Sequence, residues 1–336
     1  MSWAIWIAGL PGRGERGQME AAEEMIRTRG VPVRLLDLDA IWRDLSPGDD
    51  GAGAERELVH RALGYVVAQL TEAQMPVIVA TTTPSNLCAR AGEPGATARD
   101  AAPYEHGRAP EHVLDTTRMD VATATDVVAA LAERLAAGAR ERRPSLSGWA
   151  MWITGRPGSG KTTLARRVAE ALSAGSAPVR ILDLASARAA IVGREWATEP
   201  QEALVHRALT LATKILTEDG VDVILDATAP RRAWREAARK WITHFAEVQL
   251  VCPSEICEER ERATRWGLGG ARSSEGKGFV ARPDIVVDYE ESWHPDLRLH
   301  THAPDLLTTV EDVLGLARRL EQAARLQSTE VERTLP

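Results

Sequence analysis

Lysine is scarce in this chain of 336 residues. There are four lysines, at Lys161, Lys214, Lys240 and Lys277. The first 160 residues therefore have no lysine for a site that needs an ammonium group. Cysteine is equally scarce: the three residues are too few for a disulfide framework and lack the spacing of a zinc site. This use of cysteine is typical of a reducing compartment, and we expect a cytoplasmic protein.

Neither an excess of positive charge nor a long apolar run is present. Forty-one basic against 48 acidic residues give a net charge of −7, which disfavours a nucleic-acid partner. No apolar run approaches the roughly 20 residues of a membrane helix, and the first ten residues lack the basic segment of a signal peptide. We therefore expect no membrane partner. The remaining composition, 44% hydrophobic and 26% charged, is that of a globular protein long enough for about two domains.

The chain contains an internal repeat. Residues 3–12 are similar to residues 149–158, and this offset of 146 persists without a gap for about 80 residues. Further on, Tyr104 matches Tyr289 at an offset of 185, so the second copy holds 39 residues that the first copy lacks. The sequence therefore predicts a duplicated domain rather than a short solenoid repeat.

Each copy alternates short apolar runs with helical segments. In the second copy we predict strands over 150–154, 179–184, 221–226 and 247–251, and helices over 162–172, 202–217 and 231–245. This alternation predicts α/β domains of three layers, α/β/α, each with a mainly parallel sheet. We assign residues 1–140 to a degenerate first copy, 141–147 to a linker, 148–325 to a catalytic second copy and 326–336 to a tail.

The most specific motif follows the first predicted strand of the second copy. Residues 155–163 satisfy GxxxxGK[ST] between a strand and a helix, the context of a phosphate-binding loop (P-loop). Glycines let backbone N–H groups surround phosphates, and the helix N-terminus adds positive potential. We expect Lys161 to reach the β- and γ-phosphates of ATP and the Thr162 hydroxyl to hold Mg²⁺. The predicted ATP-binding residues are Gly155, Pro157, Gly158, Ser159, Gly160, Lys161, Thr162 and Thr163.

The first copy has a defective version of this loop. It keeps the glycines, but Glu15 stands where the second copy has Lys161, and Arg16 stands where it has Thr162. A carboxylate repels a triphosphate, and no lysine elsewhere in the first copy replaces the lost one. The sequence therefore predicts that ATP and Mg²⁺ bind the second copy alone.

Two carboxylates end apolar runs of the second copy, Asp183 and Asp226. Carboxylates at strand tips beside a P-loop hold Mg²⁺ through water or orient an attacking hydroxyl. We predict that both are catalytic, with Asp183 the more important; the alternative for each is a capping or turn role. The first copy keeps Asp37 at the first position but has Ala80 at the second.

Three other groups of residues have a structural explanation. His60 and His206 repeat within predicted helices, where packing is the favoured role. Trp149 and Trp152 are three apart on a predicted strand, so we expect them to face opposite sides and to pack in the core. A set of arginines forms either a solvated helix face or a site for anionic substrate groups: Arg231, Arg232, Arg235 and Arg239.

Downstream of the P-loop, residues 245–260, 267–279 and 289–301 carry three specific motifs, and through them the second copy resembles the adenylylsulfate kinase (APS kinase) family of P-loop NTPases. Residues 245–260 resemble the family stretch F-x-E-V … P-L-E-V-C-E-x-R, and residues 267–279 resemble G-L-Y … A-R … E-I-K-G-F. Residues 289–301 resemble P-Y-E-x-P-x-x-P-E-L … T. The resemblance covers nearly all of the second copy, and the first copy shares its final part. It implies transfer of a phosphoryl group from ATP to the 3′-hydroxyl of adenosine 5′-phosphosulfate, a step of sulfate activation.

The resemblance also implies a set of substrate-binding residues: Arg188, Arg232, Lys277 and Phe279. Phe279 would stack on the adenine of the substrate, and Lys277 would meet the phosphosulfate or the transferring phosphoryl group. Both lie in a substrate lid that falls within the 39 residues missing from the first copy.

The sequence departs from the family pattern at acceptor positions. The second Asp of the family's L-D-G-D-N-V-R is Ala185, the Ser of S-P-Y-R is Ala229, and the Asn of N-I-R-R is Val205. Residues 226–228, Asp-Ala-Thr, resemble instead a broader group of small-molecule and polynucleotide kinases. Asp226 either takes over the role of the lost carboxylate or marks a different acceptor.

Three functions therefore remain open: an APS kinase, a related kinase with another hydroxyl acceptor, and a non-catalytic ATP-binding regulatory protein. Lys161 and the lid favour the two kinases, whereas Ala185 and Val205 favour a changed acceptor. Because members of the family are typically dimers, the resemblance also implies that the first copy packs against the second as an intramolecular pseudo-dimer. A homo-oligomer would extend that pairing.

Overall fold

The structure is a computed structural model that describes residues 2–8, 23, 24, 26, 28, 33–46, 54–81, 121–136, 147–173, 179–193, 197–269, 288–302 and 306–334. The chain divides into two compact units. Unit 1 comprises Met1–Arg143 with Ala190–Glu195, and unit 2 comprises Pro144–Ala189 with Trp196–Pro336. The boundary between Arg143 and Pro144 falls within the predicted linker.

Unit 1 contains a parallel sheet of three strands in the order β1-β3-β2. Its described elements are β1 (Ala4–Ala8), β2 (Arg34–Asp37), α1 (Leu38–Leu45), α2 (Ala54–Glu72), β3 (Val77–Thr81) and α3 (Val121–Ala136). The apolar core joins Ile5 and Ile78 of the sheet to Ala129 of α3. Helices and a parallel sheet are what the alternating sequence pattern predicts for this part of the chain.

Unit 2 contains five strands and six helices among its described residues. The strands are β4 (Ala150–Gly155), β5 (Arg180–Asp183), β6 (Val223–Asp226), β7 (Phe245–Val251) and β8 (Leu297–His300). The helices are α4 (Lys161–Ser173), α5 (Leu184–Ile191), α6 (Glu199–Glu218), α7 (Arg232–Trp241), α8 (Ser254–Gly269) and α9 (Leu306–Thr334). In the parts of the chain that the structure describes, no helix is apolar enough over sufficient length to cross a membrane.

The strand order of unit 2 brings the predicted site residues to one edge. The strands are all parallel and lie in the order β5-β6-β4-β7-β8. Asp226 at the end of β6 is paired in register with Ile153 of the central strand β4 and with Asp183 of β5. Because parallel strands end at the same edge of a sheet, both carboxylates lie at the edge from which the P-loop leaves β4.

The two tryptophans of the β4 region pack on opposite faces of the sheet, as predicted. Trp149 belongs to an apolar cluster with Leu164 of α4 and Leu316 of α9. Trp152 is fully buried and lies parallel to the His206 ring of α6, with 6.3 Å between the ring centroids. Helices therefore cover both faces of the sheet, which is the predicted three-layer arrangement.

The end of one predicted helix and the start of the predicted tail are wrong. The helix predicted over 231–245 ends at Trp241, since Ile242 has an extended backbone (φ −109°, ψ 121°) and β7 begins at Phe245. Both elements bury apolar residues at this junction, so the apolar pattern continues across the boundary. Residues 326–334, predicted as part of a tail, form the last turns of α9. The elements α5, α8, β8 and α9 were not predicted.

Asp222, just before β6, makes the stability of unit 2 dependent on pH. Burial raises the pKa of its carboxyl group from an ordinary 3.8 to about 6, although the backbone N–H of Trp149 donates to its Oδ1 at 3.2 Å. The folded protein therefore holds a proton that the unfolded chain has lost between these pH values. The free energy of unfolding is then expected to fall as pH rises from about 4 to about 6.

The substitution Asp222→Asn tests this expectation, because an amide oxygen still accepts from Trp149 but carries no charge. At pH 7 we expect the variant to be more stable than the wild type by about 1–3 kcal/mol, and to lack this fall in stability. Urea unfolding of the full chain at pH 4, 5, 6 and 7 measures both effects. Asp312→Asn, at an exposed position on α9, is the matched control. Parallel curves for wild type and Asp222→Asn would contradict the assignment.

Candidate active site

The P-loop between β4 and α4 needs glycine for two physical reasons. Gly155, Gly158 and Gly160 have φ angles of 151°, 77° and 95°, which side-chain-bearing residues rarely adopt. A Cβ atom at Gly158 would also overlap the carbonyl oxygen of Cys257 on α8. The motif therefore reflects both the turn itself and the close approach of a neighbouring helix.

Lys161 is the first residue of α4, and its ammonium group lies over the loop. Its Nζ donates to the carbonyl oxygens of Gly155 at 3.1 Å and Arg156 at 2.9 Å. Burial lowers the pKa of Lys161, and the negative charge of Asp226 opposes this shift. The lysine is therefore a cation placed among carbonyl groups at the N-terminus of a helix, where an incoming phosphate would find positive charge and free N–H groups.

Asp226 is the carboxylate that contacts the P-loop helix. It is buried, and its side chain accepts a hydrogen bond from the hydroxyl of Thr162. Burial raises the pKa of Asp226, and the Thr162 hydrogen bond and the Lys161 charge act in the opposite direction. The cluster of Lys161, Thr162 and Asp226 thus brings together an ammonium group, a hydroxyl and a carboxylate, which we call the P-loop triad.

Asp183 lies beside Asp226 but has a different immediate partner. Its Oδ1 accepts from the backbone N–H of Ser186 at 2.8 Å, so the carboxylate caps the N-terminus of α5. The charge of Asp183 also contributes to raising the pKa of Asp226. Asp183 therefore has the capping role that was the alternative to a catalytic one. Its negative charge nevertheless acts on Asp226 of the P-loop triad.

The predicted substrate-binding arginines have unlike surroundings. Arg188 of α5 forms a two-point ion pair with Glu202 of α6, at 2.6 and 2.8 Å. Arg232, at the start of α7, donates from Nε to the carbonyl oxygen of Glu291 at 3.1 Å. Its guanidinium lies over the indole of Trp293, with 3.9 Å from Cζ to the ring centroid. Arg188 would have to leave its carboxylate to bind a substrate, whereas Arg232 would not.

The arginines of α7 are not a solvated helix face, because one of them is completely buried. Arg235 is 0% exposed and pairs with Glu247 of β7 at 2.8 Å. It also donates to the carbonyl oxygens of Ala229 and Glu290, while Ser292 donates to Glu247. Arg235 thereby holds the loop after β6 to the segment before β8.

This loop contains a strained backbone position. Ala229 has a φ of 41° although it carries a side chain, and its carbonyl oxygen is one of the groups that Arg235 binds. A residue in this conformation stores free energy and persists because its surroundings fix it. Such strain beside a strand tip is common where a chain is held in one functional geometry.

A second buried contact joins the same segment to the P-loop strand. The hydroxyls of Tyr289 and Thr154 are 3.1 Å apart, and Thr154 donates to the carbonyl oxygen of Thr228 at 2.6 Å. Burial raises the pKa of Tyr289, so the phenol stays protonated. The sequence places Tyr289 in a family motif but does not predict its contact with Thr154. It also does not predict the ion pair between Arg235 and Glu247.

The remaining predicted residues are packed or lie outside the described chain. His206 is buried against Trp234, with 4.3 Å between ring centroids, and burial lowers its pKa to about 3, so it is neutral. Packing was the predicted role for this histidine. The lid residues Lys277 and Phe279, and the first-copy loop with Glu15, lie outside the described residues.

A P-loop at the end of a central parallel strand, with a buried strand-end carboxylate bonded to the threonine that follows its lysine, defines the class: an α/β phosphotransferase of the P-loop type. Comparison with known proteins identifies the family within this class. A family model described as adenylylsulphate kinase matches residues 1–114 and 147–300. The chain belongs to the adenylylsulphate kinase family, and it is a kinase.

Individual relatives match about half of the chain. The adenylyl-sulfate kinase of Picosynechococcus sp. is 32% identical over 168 residues, which are 50% of this chain and 92% of the relative. The probable adenylyl-sulfate kinase of Archaeoglobus fulgidus is 31% identical over 149 residues, 42% of this chain and 96% of the relative. The Mycobacterium tuberculosis APS kinase, solved in complex with AMPPNP and APS, is 26% identical with a TM-score of 0.42, and the match covers 51% of this chain and 98% of that one.

Proposed function

We propose that the second copy transfers the γ-phosphoryl group of ATP to the 3′-hydroxyl of adenosine 5′-phosphosulfate. The product would be 3′-phosphoadenosine 5′-phosphosulfate, so the chain would act in sulfate activation. The observation that carries this proposal is the P-loop triad of Lys161, Thr162 and Asp226, in a chain of the adenylylsulphate kinase family. The cytoplasm remains the expected compartment.

The triad has the chemistry that ATP and Mg²⁺ require. Mg²⁺ prefers oxygen ligands and is usually held by one or two protein groups together with substrate phosphates. The Thr162 hydroxyl and the Asp226 carboxylate are such groups, with Asp183 one strand further along. Mg²⁺ would supply charge neutralisation for the phosphates. The residues themselves would do the rest: Lys161 would attract the β- and γ-phosphates, and a carboxylate would orient the attacking hydroxyl.

A second candidate differs in the acceptor, and two observations favour it. The ion pair of Arg188 with Glu202 occupies one guanidinium that the resemblance assigns to the substrate. The family's polar side chains are also replaced at Ala185, Val205 and Ala229. The chain would then be a P-loop kinase of the same lineage that phosphorylates another small-molecule or nucleotide hydroxyl.

An ADP-release assay with several acceptors distinguishes these candidates. We expect turnover of the full chain with adenosine 5′-phosphosulfate to exceed turnover with AMP, adenosine and gluconate by at least roughly 10-fold, because a site built for a charged group rejects analogues that lack it. The product is verified as the 3′-phosphate by mass spectrometry and NMR. Turnover confined to another acceptor would favour the second candidate, and ATP binding without any turnover would contradict both.

For the first copy we propose a supporting role as the pseudo-dimer partner of the second. It keeps the strand and helix pattern while Glu15 replaces the P-loop lysine. Expression of residues 148–336 alone tests this role by solubility, light scattering and activity. A soluble, monomeric fragment as active as the full chain would contradict it.

A further inference from the structure

Trp293 is an exposed tryptophan in the segment of unit 2 that precedes β8. Its side chain is 69% exposed, more than any other large hydrophobic residue among those the structure describes. One face of its indole is covered by the guanidinium of Arg232, with 3.9 Å from Cζ to the ring centroid. We call this pair the Arg–Trp stack. Because so much of its side chain is exposed, burial of Trp293 contributes little to the stability of the fold. Its contact with Arg232 is therefore the feature to explain.

The stack fixes the Arg232 guanidinium and leaves two of its nitrogens available. Nε donates to the carbonyl oxygen of Glu291, and the backbone N–H of Arg232 donates to Glu290 at 2.9 Å. Among the described residues, no carboxylate is within ion-pairing distance of its Nη1 or Nη2. A guanidinium lying flat on an aromatic ring keeps its N–H groups in the plane, where they can bind an oxyanion at two points.

Neighbouring arginines are engaged by carboxylates, although Arg235 and Arg239 also lie over aromatic rings, at 5.0 and 5.2 Å from the ring centroids. Arg188 pairs with Glu202, Arg235 pairs with Glu247, and Arg239 pairs with Asp296 at 2.6 Å. Arg231 bridges two carboxylates, those of Glu199 and Glu290. Of these five arginines, Arg232 is the one whose partner is an aromatic ring instead of a carboxylate. Among the described residues, the Arg232 guanidinium makes no ion pair; its charge helps to lower the pKa of Glu290, and its two Nη groups are available to a ligand.

The position of the stack fits the acceptor side of the site. Arg232 begins α7, six residues after Asp226 at the carboxyl end of β6. The backbone N–H of Glu290 donates to the carbonyl oxygen of Pro230 at 2.9 Å, which ties the segment carrying Trp293 to the loop carrying Arg232. The stack therefore belongs to the same edge of the sheet as the P-loop triad.

We propose that Trp293 is a positioning residue: through the Arg–Trp stack it holds the guanidinium of Arg232, which the family resemblance assigns to the substrate, as an oxyanion-binding fork for the sulfate or phosphate group of the acceptor. The indole holds the guanidinium by cation–π attraction, which is strongest for tryptophan. Less side-chain entropy is then lost when the anion binds. This inference rests on the proposed function, in which the acceptor is a phosphosulfate.

A double-mutant cycle in the full chain tests the proposal, with KM for adenosine 5′-phosphosulfate, KM for ATP and kcat as the readouts. We expect Trp293→Ala to raise the acceptor KM about 3- to 10-fold and to leave the KM for ATP unchanged. Trp293→Phe should recover part of the loss, because a phenyl ring still attracts a cation. In an Arg232→Ala background, Trp293→Ala should have no further effect, since the tryptophan acts through the arginine.

The outcomes separate failure of this inference from failure of the proposed function. Leu326→Ala, which removes another exposed hydrophobic side chain on α9, controls for surface effects. An unchanged acceptor KM in Trp293→Ala, or equal effects of that substitution with and without Arg232, would overturn the inference while wild-type turnover upholds the function. A parallel rise in the KM for ATP would also overturn it. Absence of wild-type turnover with this acceptor would overturn both.

Discussion

A Lys161→Ala variant is expected to lose phosphoryl transfer by roughly 10³-fold or more, because electrostatic stabilisation of the transferring group is most of what a P-loop site supplies. Lys161 is the sole lysine of either P-loop sequence, and its ammonium group contacts two carbonyl oxygens of the loop. No neighbouring lysine can take its place. Steady-state kinetics with saturating ATP measure the loss, and calorimetric titration with ADP measures the accompanying loss of affinity.

Lys240→Ala is the matched control, since it removes an exposed lysine of α7 outside the P-loop. Its turnover should equal that of the wild type. Thermal unfolding of both variants shows whether the loop has kept its fold. If Lys161→Ala retained near-normal turnover, the P-loop of the second copy would not be the site of transfer.

Asp226→Asn is expected to lower kcat by roughly 10²-fold or more and to raise the Mg²⁺ concentration needed for half-maximal activity. The reason is its contact with the Thr162 hydroxyl beside the Lys161 charge. Asp183→Asn should have the smaller effect, because Asn caps a helix about as well as Asp and the substitution removes charge without removing the cap. The sequence pattern favoured the opposite order for these two carboxylates.

Mg²⁺ titrations of both variants at fixed ATP provide the measurement. A larger loss of kcat in Asp183→Asn than in Asp226→Asn, with an unchanged Mg²⁺ requirement, would assign the hydroxyl-orienting role to Asp183. Asp183 would then be the more important carboxylate, as the sequence pattern predicts. Equal losses would mean that the two carboxylates act as one unit. In that case the double variant should be no worse than either single one.

The P-loop could be read completely from the sequence because its geometry depends on residues that are close together along the chain. Three glycines, a lysine and a threonine within eight positions specify the loop, and the flanking apolar runs specify the strand and the helix. Which carboxylate meets Thr162 could not be read in this way. That contact depends on β6 lying next to β4, with β5 one strand further out, and strand order is a property of the whole sheet.

The arginines at the start of α7 and within it also have contacts that the local sequence does not specify. Arg231, Arg232, Arg235 and Arg239 follow one another at helical spacing and look alike in the sequence. Their partners come from β7, from the segment before β8 and from Glu199 of α6, up to 59 residues away. The burial of Arg235 and the partial exposure of Arg232 are therefore decided by tertiary contacts. The family resemblance includes Glu247 and Tyr289, but it does not show that Glu247 pairs with Arg235 or that Tyr289 contacts Thr154.

The close approach of α8 to Gly158 bears on which P-loop residues can be replaced singly. A lysine whose contacts are with loop carbonyls and ligands can be replaced in one step without disturbing the core. A glycine whose absent side chain leaves room for the Cys257 carbonyl can change only if a helix moves with it. The first copy has Gly12 at the position equivalent to Gly158 and Glu15 at the position equivalent to Lys161. In the second copy, packing against α8 therefore adds a requirement for glycine that is independent of any ligand, whereas the requirement for Lys161 comes from the phosphates it would bind.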